Sequence, residues 1–219
     1  MVGVAIGLFV VAGASMLTVT QLTENRRLLL ETQVQQDLRA TADIISRELR
    51  RSGHWAKARS AVWYTSSPAL QVNPYTTMTD TVGGADLAND DEASTVLLAY
   101  NPKTDEGDED DAIAANERLG FRLSNGVIQT QLGEGNWQAL TDTNTLRVSD
   151  FKVRMNKRQL PLSCPKDCPG GGQACWPVLE VRQLTVDITG EARHDVAVQR
   201  SVRSTVRLRN DPVVGSCPL

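Results

Sequence analysis

Residues 1–53 read MVGVAIGLFVVAGASMLTVTQLTENRRLLLETQVQQDLRATADIISRELRRSG and contain no proline. The stretch from Met1 to Leu22 carries no charge, and the first charged residue is Glu24. An apolar segment of about 20 residues is long enough to cross the roughly 30 Å hydrocarbon core of a bilayer as a helix. Since no turn residue separates this segment from the polar residues that follow, we predict one continuous helix of about 50 residues, about 75 Å long.

This pattern divides the chain into three parts. Residues 1–22 form the apolar half of the helix, residues 23–53 form its amphipathic half, and residues 54–219 form a β-rich head domain. A head of about 170 residues is large enough for one domain with its own core. Aromatic residues make up only 5% of the chain, so we expect a core of Val, Leu, Ile and Ala. The net charge of −3 does not indicate a nucleic-acid partner.

The apolar half is read as a membrane anchor rather than a cleaved signal peptide or a buried core helix. A secretory signal has a basic start and a short apolar run before its cleavage site, whereas here no basic residue comes first and the apolar residues continue past the small residues at 12–15. Small residues permit close contact between membrane helices, although glycine is also simply common in them. The residues expected to face the membrane or neighbouring helices are Val4, Leu8, Val11 and Met16.

The amphipathic half carries a single apolar stripe at spacings of three and four residues. Such a stripe predicts packing on one partner surface. A coiled coil is the competing interpretation, but the stripe covers barely three heptads and drifts from their spacing. We therefore expect it to pack on the chain's own sheet, with Gly53 just past the end of the helix. The residues of the stripe are Leu30, Val34, Leu38, Ala42, Ile45 and Leu49.

Short apolar runs with turn signals between them follow the helix and predict an antiparallel sheet. Asn125-Gly126 between two alternating runs is a strong hairpin signal. Alternation shifts by one residue near Ser149 and Asp150, where a bulge is expected. The fold class is therefore α+β, with the long helix packed on the sheet. The candidate strands are residues 61–66, 95–100, 119–124, 127–132, 146–155, 179–189 and 197–209.

All four cysteines lie in the last quarter of the chain. An even number of cysteines behind a membrane anchor indicates disulfides in an oxidising compartment. Three pairings are possible, and a zinc site with four thiolates is the alternative, although the spacing matches no paired C-x2-C motif. By the positive-inside rule, Arg26 and Arg27 next to the span would place the following residues in the cytoplasm. The cysteines indicate the opposite orientation, and on that ground we place the head outside the cytoplasm. The cysteines are Cys164, Cys168, Cys175 and Cys217.

The run KTDEGDEDD at residues 103–111 is the densest group of charges. Carboxylates can bind Ca²⁺, but the EF-hand spacing is not met, and runs of like charge are usually solvated loops. The calcium interpretation is therefore the weaker of the two. Its candidate ligands are Asp105, Glu106, Asp108, Glu109, Asp110 and Asp111.

No motif for catalysis accompanies the two histidines, His54 and His194. Neither lies in H-E-x-x-H, and no G-x-S-x-G sequence or P-loop occurs. We expect surface or capping roles for both histidines, no cofactor, and no enzymatic activity.

Three stretches resemble the type IV pilin superfamily. Residues 1–15, MVGVAIGLFVVAGAS, are similar to the segment that follows the glutamate of the pilin N-terminal motif. Residues 35–55, QQDLRATADIISRELRRSGHW, resemble the end of the helix in PilW-type minor pilins, and residues 204–210, STVRLRN, look like the last strand of that subgroup.

The resemblance implies a minor pilin that initiates or caps a type IV pilus within a tip complex. Its implied partners are other minor pilins and the major pilin, reached through the N-terminal helix, and a large tip adhesin; adhesion and N-terminal methylation are further traits of the family. It also implies a single-pass protein of the bacterial inner membrane with a periplasmic head, which then moves to the tip of the pilus fibre.

The chain departs from the pilin pattern at its start. The basic leader, the glycine before the cut and the Phe-Thr-Leu-x-Glu-Leu motif are not present, so the processing site and the glutamate cannot be assigned. We expect either a start codon assigned too late or a trimmed sequence. Two alternatives to the minor pilin are a minor pseudopilin of type II secretion and a single-pass anchored binding or sensor domain.

Overall fold

The structure is a computed structural model that describes residues 2–61, 71–81, 84–101 and 112–218. The long helix α1 is Val2–Arg51, and short 3₁₀ turns lie at Ala58–Ala61, Pro74–Thr76 and Ala115–Glu117. The strands are β1 Glu92–Ala93, β2 Thr95–Ala99, β3 Arg118–Ser124, β4 Val127–Leu132, β5 Trp137–Ala139, β6 Leu146–Pro161, β7 Val178–Ala192, β8 Asp195–Arg207 and β9 Val213–Val214.

The predicted α+β architecture is confirmed, and the strands divide between two antiparallel sheets. The larger sheet has the order β1-β6-β7-β8, with β9 also paired to β7. The smaller has the order β2-β3-β4-β5. In the β3–β4 hairpin, Asn125 and Gly126 both have positive φ, 52° and 78°, as a two-residue type I′ turn requires. The predicted bulge is present as a register shift between Val148 and Asp150.

Strand boundaries differ from the predicted ones at the β6–β7 hairpin. The sequence indicated that β6 ends at Met155, but its pairing continues to Pro161, which lies opposite Val178. Residues 156–161 are mostly exposed and polar, so they carry no apolar alternation that could have shown a strand. The candidate strand at 61–66 lies outside the described residues from position 62 onwards.

Helix α1 docks its second half on the larger sheet. Val34, Leu38, Ala42, Ile45 and Leu49 are between 0% and 2% exposed and belong to one core cluster with residues of β6, β7 and β8. Leu30 is partly buried against the same cluster. This is the packing that the stripe was expected to make, because one apolar face needs only one partner surface.

A glycine in β7 permits the close approach of this helix. A Cβ atom at Gly190 would lie 3.3 Å from Leu38 Cδ2 and 2.8 Å from Leu146 Cδ1. The second distance is shorter than real Cβ contacts allow, so a side chain at this position would have to displace its neighbours.

The C-terminal end of the helix is held by side chains from two other segments. Gly53 has φ of 75°, the left-handed conformation of a helix-ending glycine. Asn210 donates a hydrogen bond to the Ser52 carbonyl at 3.0 Å, and Asn73 donates one to the Gly53 carbonyl at 2.9 Å. These bonds pair the two carbonyl groups that directly follow the last helical residue, Arg51.

Arg182 of β7 lies beneath this helix end and is only 1% exposed. Its guanidinium donates to the carbonyls of Thr76 and Asn210. Burial lowers its pKa, while the nearby carboxylates of Asp86, Glu180 and Asp211 act in the opposite direction. We call Gly53, Asn73, Arg182 and Asn210 the helix-end clamp.

The cysteines form two disulfides in the C-terminal region. Cys164 pairs with Cys217 and Cys168 pairs with Cys175, with Cα–Cα distances of 5.6 Å and 5.7 Å. No cysteine is free. The disulfide prediction is therefore confirmed, and the zinc alternative is wrong because no thiolate is left to bind a metal.

Candidate functional site: the undocked half of the helix

Residues 2–29 of α1 extend away from the head, and every one of them is exposed. The four residues predicted to face the membrane or neighbouring helices are among them: Val4, Leu8, Val11 and Met16 are 69%, 66%, 62% and 77% exposed. Exposed apolar patches of this size on a protein indicate a contact with a membrane or with another protein.

The hydroxyl groups of this segment are already paired within the helix. The hydroxyls of Ser15, Thr18, Thr20 and Thr23 each donate to the backbone carbonyl four residues earlier, at 2.8 Å, 2.9 Å, 3.0 Å and 2.9 Å. An unpaired hydroxyl would cost free energy in an apolar environment. With these bonds made, the hydroxyl groups can enter hydrocarbon or a dry interface between helices.

Three glycines in the undocked half have no role in packing within the chain. A Cβ atom at Gly3, Gly7 or Gly13 would meet nothing within 4 Å. Glycine inside a helix costs roughly 1 kcal/mol relative to alanine, and no contact within the head offsets that cost.

In the part of the chain that the structure describes, α1 is the one helix long and apolar enough to cross a membrane. No residue of its most apolar window is buried in the head. The helix is therefore compatible with a single-pass membrane anchor.

The boundary between the two halves of α1 is marked by polar contacts. Glu31 accepts from Arg27 one turn earlier, at 3.3 Å, and forms an ion pair with Arg200 of β8. Further along the docked half, Asp37 accepts from Thr145 at 3.2 Å, and Ser46 lies 2.9 Å from Ser204. The head thus holds the helix from about residue 30 onwards.

The calcium candidates at 105–111 lie outside the described residues. Among the residues that are described, no group of metal-binding side chains occurs. His54 Nδ1 lies 2.7 Å from the Asn101 carbonyl oxygen, and His194 is exposed in the turn between β7 and β8. Among the described residues, neither histidine forms an ion pair with a carboxylate, so no acid–base pair is assembled.

Sequence reasoning predicted Gly53 at the helix end but missed the other three residues of the clamp, Asn73, Arg182 and Asn210. A signal for Arg182 was nonetheless present: it shares the alternating positions of Leu184, Val186 and Ile188, all of which face the core. A charged residue at the first position of such a buried series indicates a structural role.

Comparison with known families adds to this geometry. Residues 27–208 match the family model described as PpdB, prepilin peptidase-dependent protein B. The chain belongs to the prepilin peptidase-dependent protein B family. No curated protein and no solved structure shows significant similarity to this chain.

The match to this family covers the docked half of α1 and the head through Leu208. A prepilin peptidase-dependent protein B is a pilin-related protein, in agreement with the long helix that is docked over one half and undocked over the other. The family does not by itself select the PilW type.

Proposed function

We propose that this protein is a PilW-type minor pilin of a type IV pilus, which starts or caps the filament as part of a tip complex with other minor pilins. The observation that carries the proposal is that one continuous helix is docked on the head over its second half and fully exposed over its apolar first half. Membership of a prepilin peptidase-dependent family supports the same reading.

The two halves have separate tasks in this proposal. Before assembly, residues 2–22 lie in the inner membrane and the head lies in the periplasm, where its two disulfides are stable. During assembly, the same apolar surface leaves the bilayer and packs against the apolar helices of other pilins. Because lipid tails are as apolar as these side chains, leaving the bilayer brings no gain in hydrophobic burial. Close packing between helices is what favours the filament over the membrane.

The protein acts by assembly rather than by catalysis and uses no cofactor. The exposed half of α1 contacts the other minor pilins and the major pilin, and a tip adhesin is a further partner of the complex. Nucleic acid is not among the proposed partners, in keeping with the net charge of −3.

Site-specific photocrosslinking in living cells tests this proposal. A photoreactive residue placed at Leu8 or Val11 is expected to crosslink to other pilins in cells that make pili, whereas the same residue at the exposed Arg158 of β6 is not. Crosslinks to lipid alone, together with a normal number of pili after deletion of the gene, would contradict the proposal and favour an anchored sensor or binding domain.

The deletion strain also separates the pilus from type II secretion. Loss of pili with normal secretion supports the minor pilin. Loss of secretion with normal pili identifies a pseudopilin, which would use the same helix in a different machine.

A further inference from the structure

A basic cleft lies at the end of α1 that is farthest from the apolar half. It consists of two adjoining depressions of about 300 Å³ and about 420 Å³, which share Arg50 and Arg209. We call it the distal basic cleft. Its lining includes Arg50, Arg51, His54, Tyr100, Arg207 and Arg209.

Two of its four arginines are paired. Arg51 lies 3.2 Å from Glu48 and stacks over the ring of Tyr100 at 4.1 Å. Arg207 lies 2.9 Å from Asp211. Burial raises the pKa of the Tyr100 phenol, although Arg51 opposes this, so Arg51 stacks on an uncharged ring at neutral pH.

The other two arginines, Arg50 and Arg209, are exposed and have no ion pair or hydrogen bond among the residues described. They come from different segments, Arg50 from the last turn of α1 and Arg209 from the residues after β8. Like charges brought together on one surface repel each other, and nothing described in the chain neutralises these two.

The helix dipole accounts for only part of this cluster. Cations are favoured at the C-terminal end of a helix, which explains Arg50 and Arg51. Arg207 and Arg209 belong to another segment and are not needed to complete the helix end, because the backbone N–H groups of Ser52 and His54 already donate to the carbonyls of Leu49 and Arg51. The two unpaired guanidinium groups are therefore free to donate paired hydrogen bonds to an incoming carboxylate.

The position of the cleft excludes the protein's own membrane as its ligand. Leu22 and Arg50 are separated by about 42 Å along the continuous helix. The Debye length at physiological salt is roughly 8 Å, so phosphates at the membrane surface exert little attraction over that distance. The cleft is therefore placed to bind a ligand on the side of the head that is away from the membrane.

We propose that the distal basic cleft binds a carboxylate-rich surface segment of a partner protein. An unpaired guanidinium fork matches a carboxylate in geometry as well as in charge. The cleft is also local, within a chain whose net charge is −3, whereas nucleic-acid binding draws on an extended basic face. The inference deepens the proposed function, on which it rests for the identity of the partner as a pilus subunit, but the binding itself can be measured without a filament.

The test uses the full chain in detergent micelles and a fluorescent decapeptide of alternating Glu and Ser. Fluorescence anisotropy is expected to show binding that weakens as salt is raised. The double substitution Arg50→Gln with Arg209→Gln is expected to raise the Kd at least about tenfold, because each charge-assisted hydrogen bond to carboxylate is lost. Both residues are exposed, so the variant is expected to fold.

The matched control is Arg158→Gln, which removes an exposed arginine on β6 that has no ion pair among the described residues. Its Kd is expected to stay within about twofold of the original. An equal loss of binding in this control would show that the peptide senses only overall charge, and an unchanged Kd in the double variant would show that the peptide binds elsewhere. Either result would overturn the proposal.

Two further probes separate the classes of partner. Vesicles with anionic phospholipids and a short DNA duplex are titrated against the same protein, and tighter binding of either one through Arg50 and Arg209 would overturn the assignment to a carboxylate-rich protein. Failure of the proposed function has a different signature: the peptide would still bind through these arginines while crosslinks from Leu8 and Val11 to pilins would be missing.

Discussion

The two halves of α1 have the same backbone conformation and opposite surroundings. In the docked half, Ile45 and Leu49 are 0% exposed, whereas in the undocked half Leu8 is 66% exposed and Phe9 is 85% exposed. The docked half has one apolar stripe, which its own sheet covers, and its other faces are polar. Residues 2–22 of the undocked half are apolar on all sides, and one sheet could not cover them. The difference shows that the composition around the helix, and not its helicity, decides whether a segment serves the fold or a partner.

An apolar-to-aspartate substitution is expected to affect head stability in the docked half and membrane insertion in the undocked half. Ile45→Asp places a charge in the core and should lower the free energy of unfolding of the head by more than about 4 kcal/mol. Val11→Asp should leave that stability unchanged, but should disfavour membrane insertion by about 3 kcal/mol. Urea unfolding followed by tryptophan fluorescence measures the first effect, and the distribution between membrane and soluble fractions measures the second. Equal destabilisation of the head by both variants would remove the distinction between the two halves.

Removing each disulfide tests how much it stabilises the head beyond the packing of the docked helix. Replacing Cys164 and Cys217 by serine opens a loop with a sequence separation of 53 residues and should cost about 4 kcal/mol of unfolding free energy on the chain-entropy model. Replacing Cys168 and Cys175, separated by 7 residues, should cost about 2.5 kcal/mol. Urea unfolding of both variants checks the order, and a larger loss from the short loop would contradict it.

The close approach of the docked half to β7 predicts a smaller effect. Gly190→Val should destabilise the head by about 1–3 kcal/mol, because the new side chain would have to displace Leu146 and Leu38. Gly7→Val is the matched control, since a Cβ atom there meets nothing in the chain, and it should leave the melting temperature of the head unchanged. A neutral Gly190→Val variant would mean that the helix can move away from the sheet at little cost.

The boundary between the halves predicts the smallest effect. Arg200→Gln removes the ion pair with Glu31, a pair in which the arginine side chain is 37% exposed. Because such pairs are largely screened by solvent, we expect a loss below about 1 kcal/mol. The measurable result is faster amide hydrogen exchange confined to the turn around Glu31, with residues near Ile45 unaffected. Faster exchange throughout the docked half would show that this pair anchors more than the boundary.

Much of the fold could be predicted from the sequence because local residue patterns determine it. The apolar run, the stripe from Leu30 to Leu49, the Asn125-Gly126 turn and the shift near Asp150 each have a period or turn chemistry that acts over a few residues. The disulfide partners could not be predicted, since the pairing of Cys164 with Cys217 depends on where the sheet brings the chain end.

The same limit applies to the sites. The exposed half of α1 was predictable because its composition alone separates it from the docked half. The distal basic cleft was not, because Arg50 and Arg209 are distant in sequence and meet only after β8 has paired with β7. The division into two sheets was also hidden, since short strands such as Trp137–Ala139 carry no readable alternation.

The helix-end clamp has a mechanical consequence. Tension applied to the exposed half of α1, as in a filament that is being pulled, reaches the head along the helix axis. The load is then shared between the buried stripe and the clamp, where Asn210 and Asn73 bond to the carbonyls of Ser52 and Gly53 and Arg182 joins their two loops to β7. Pulling the helix out of the head would therefore have to break these bonds as well as the packing of the stripe.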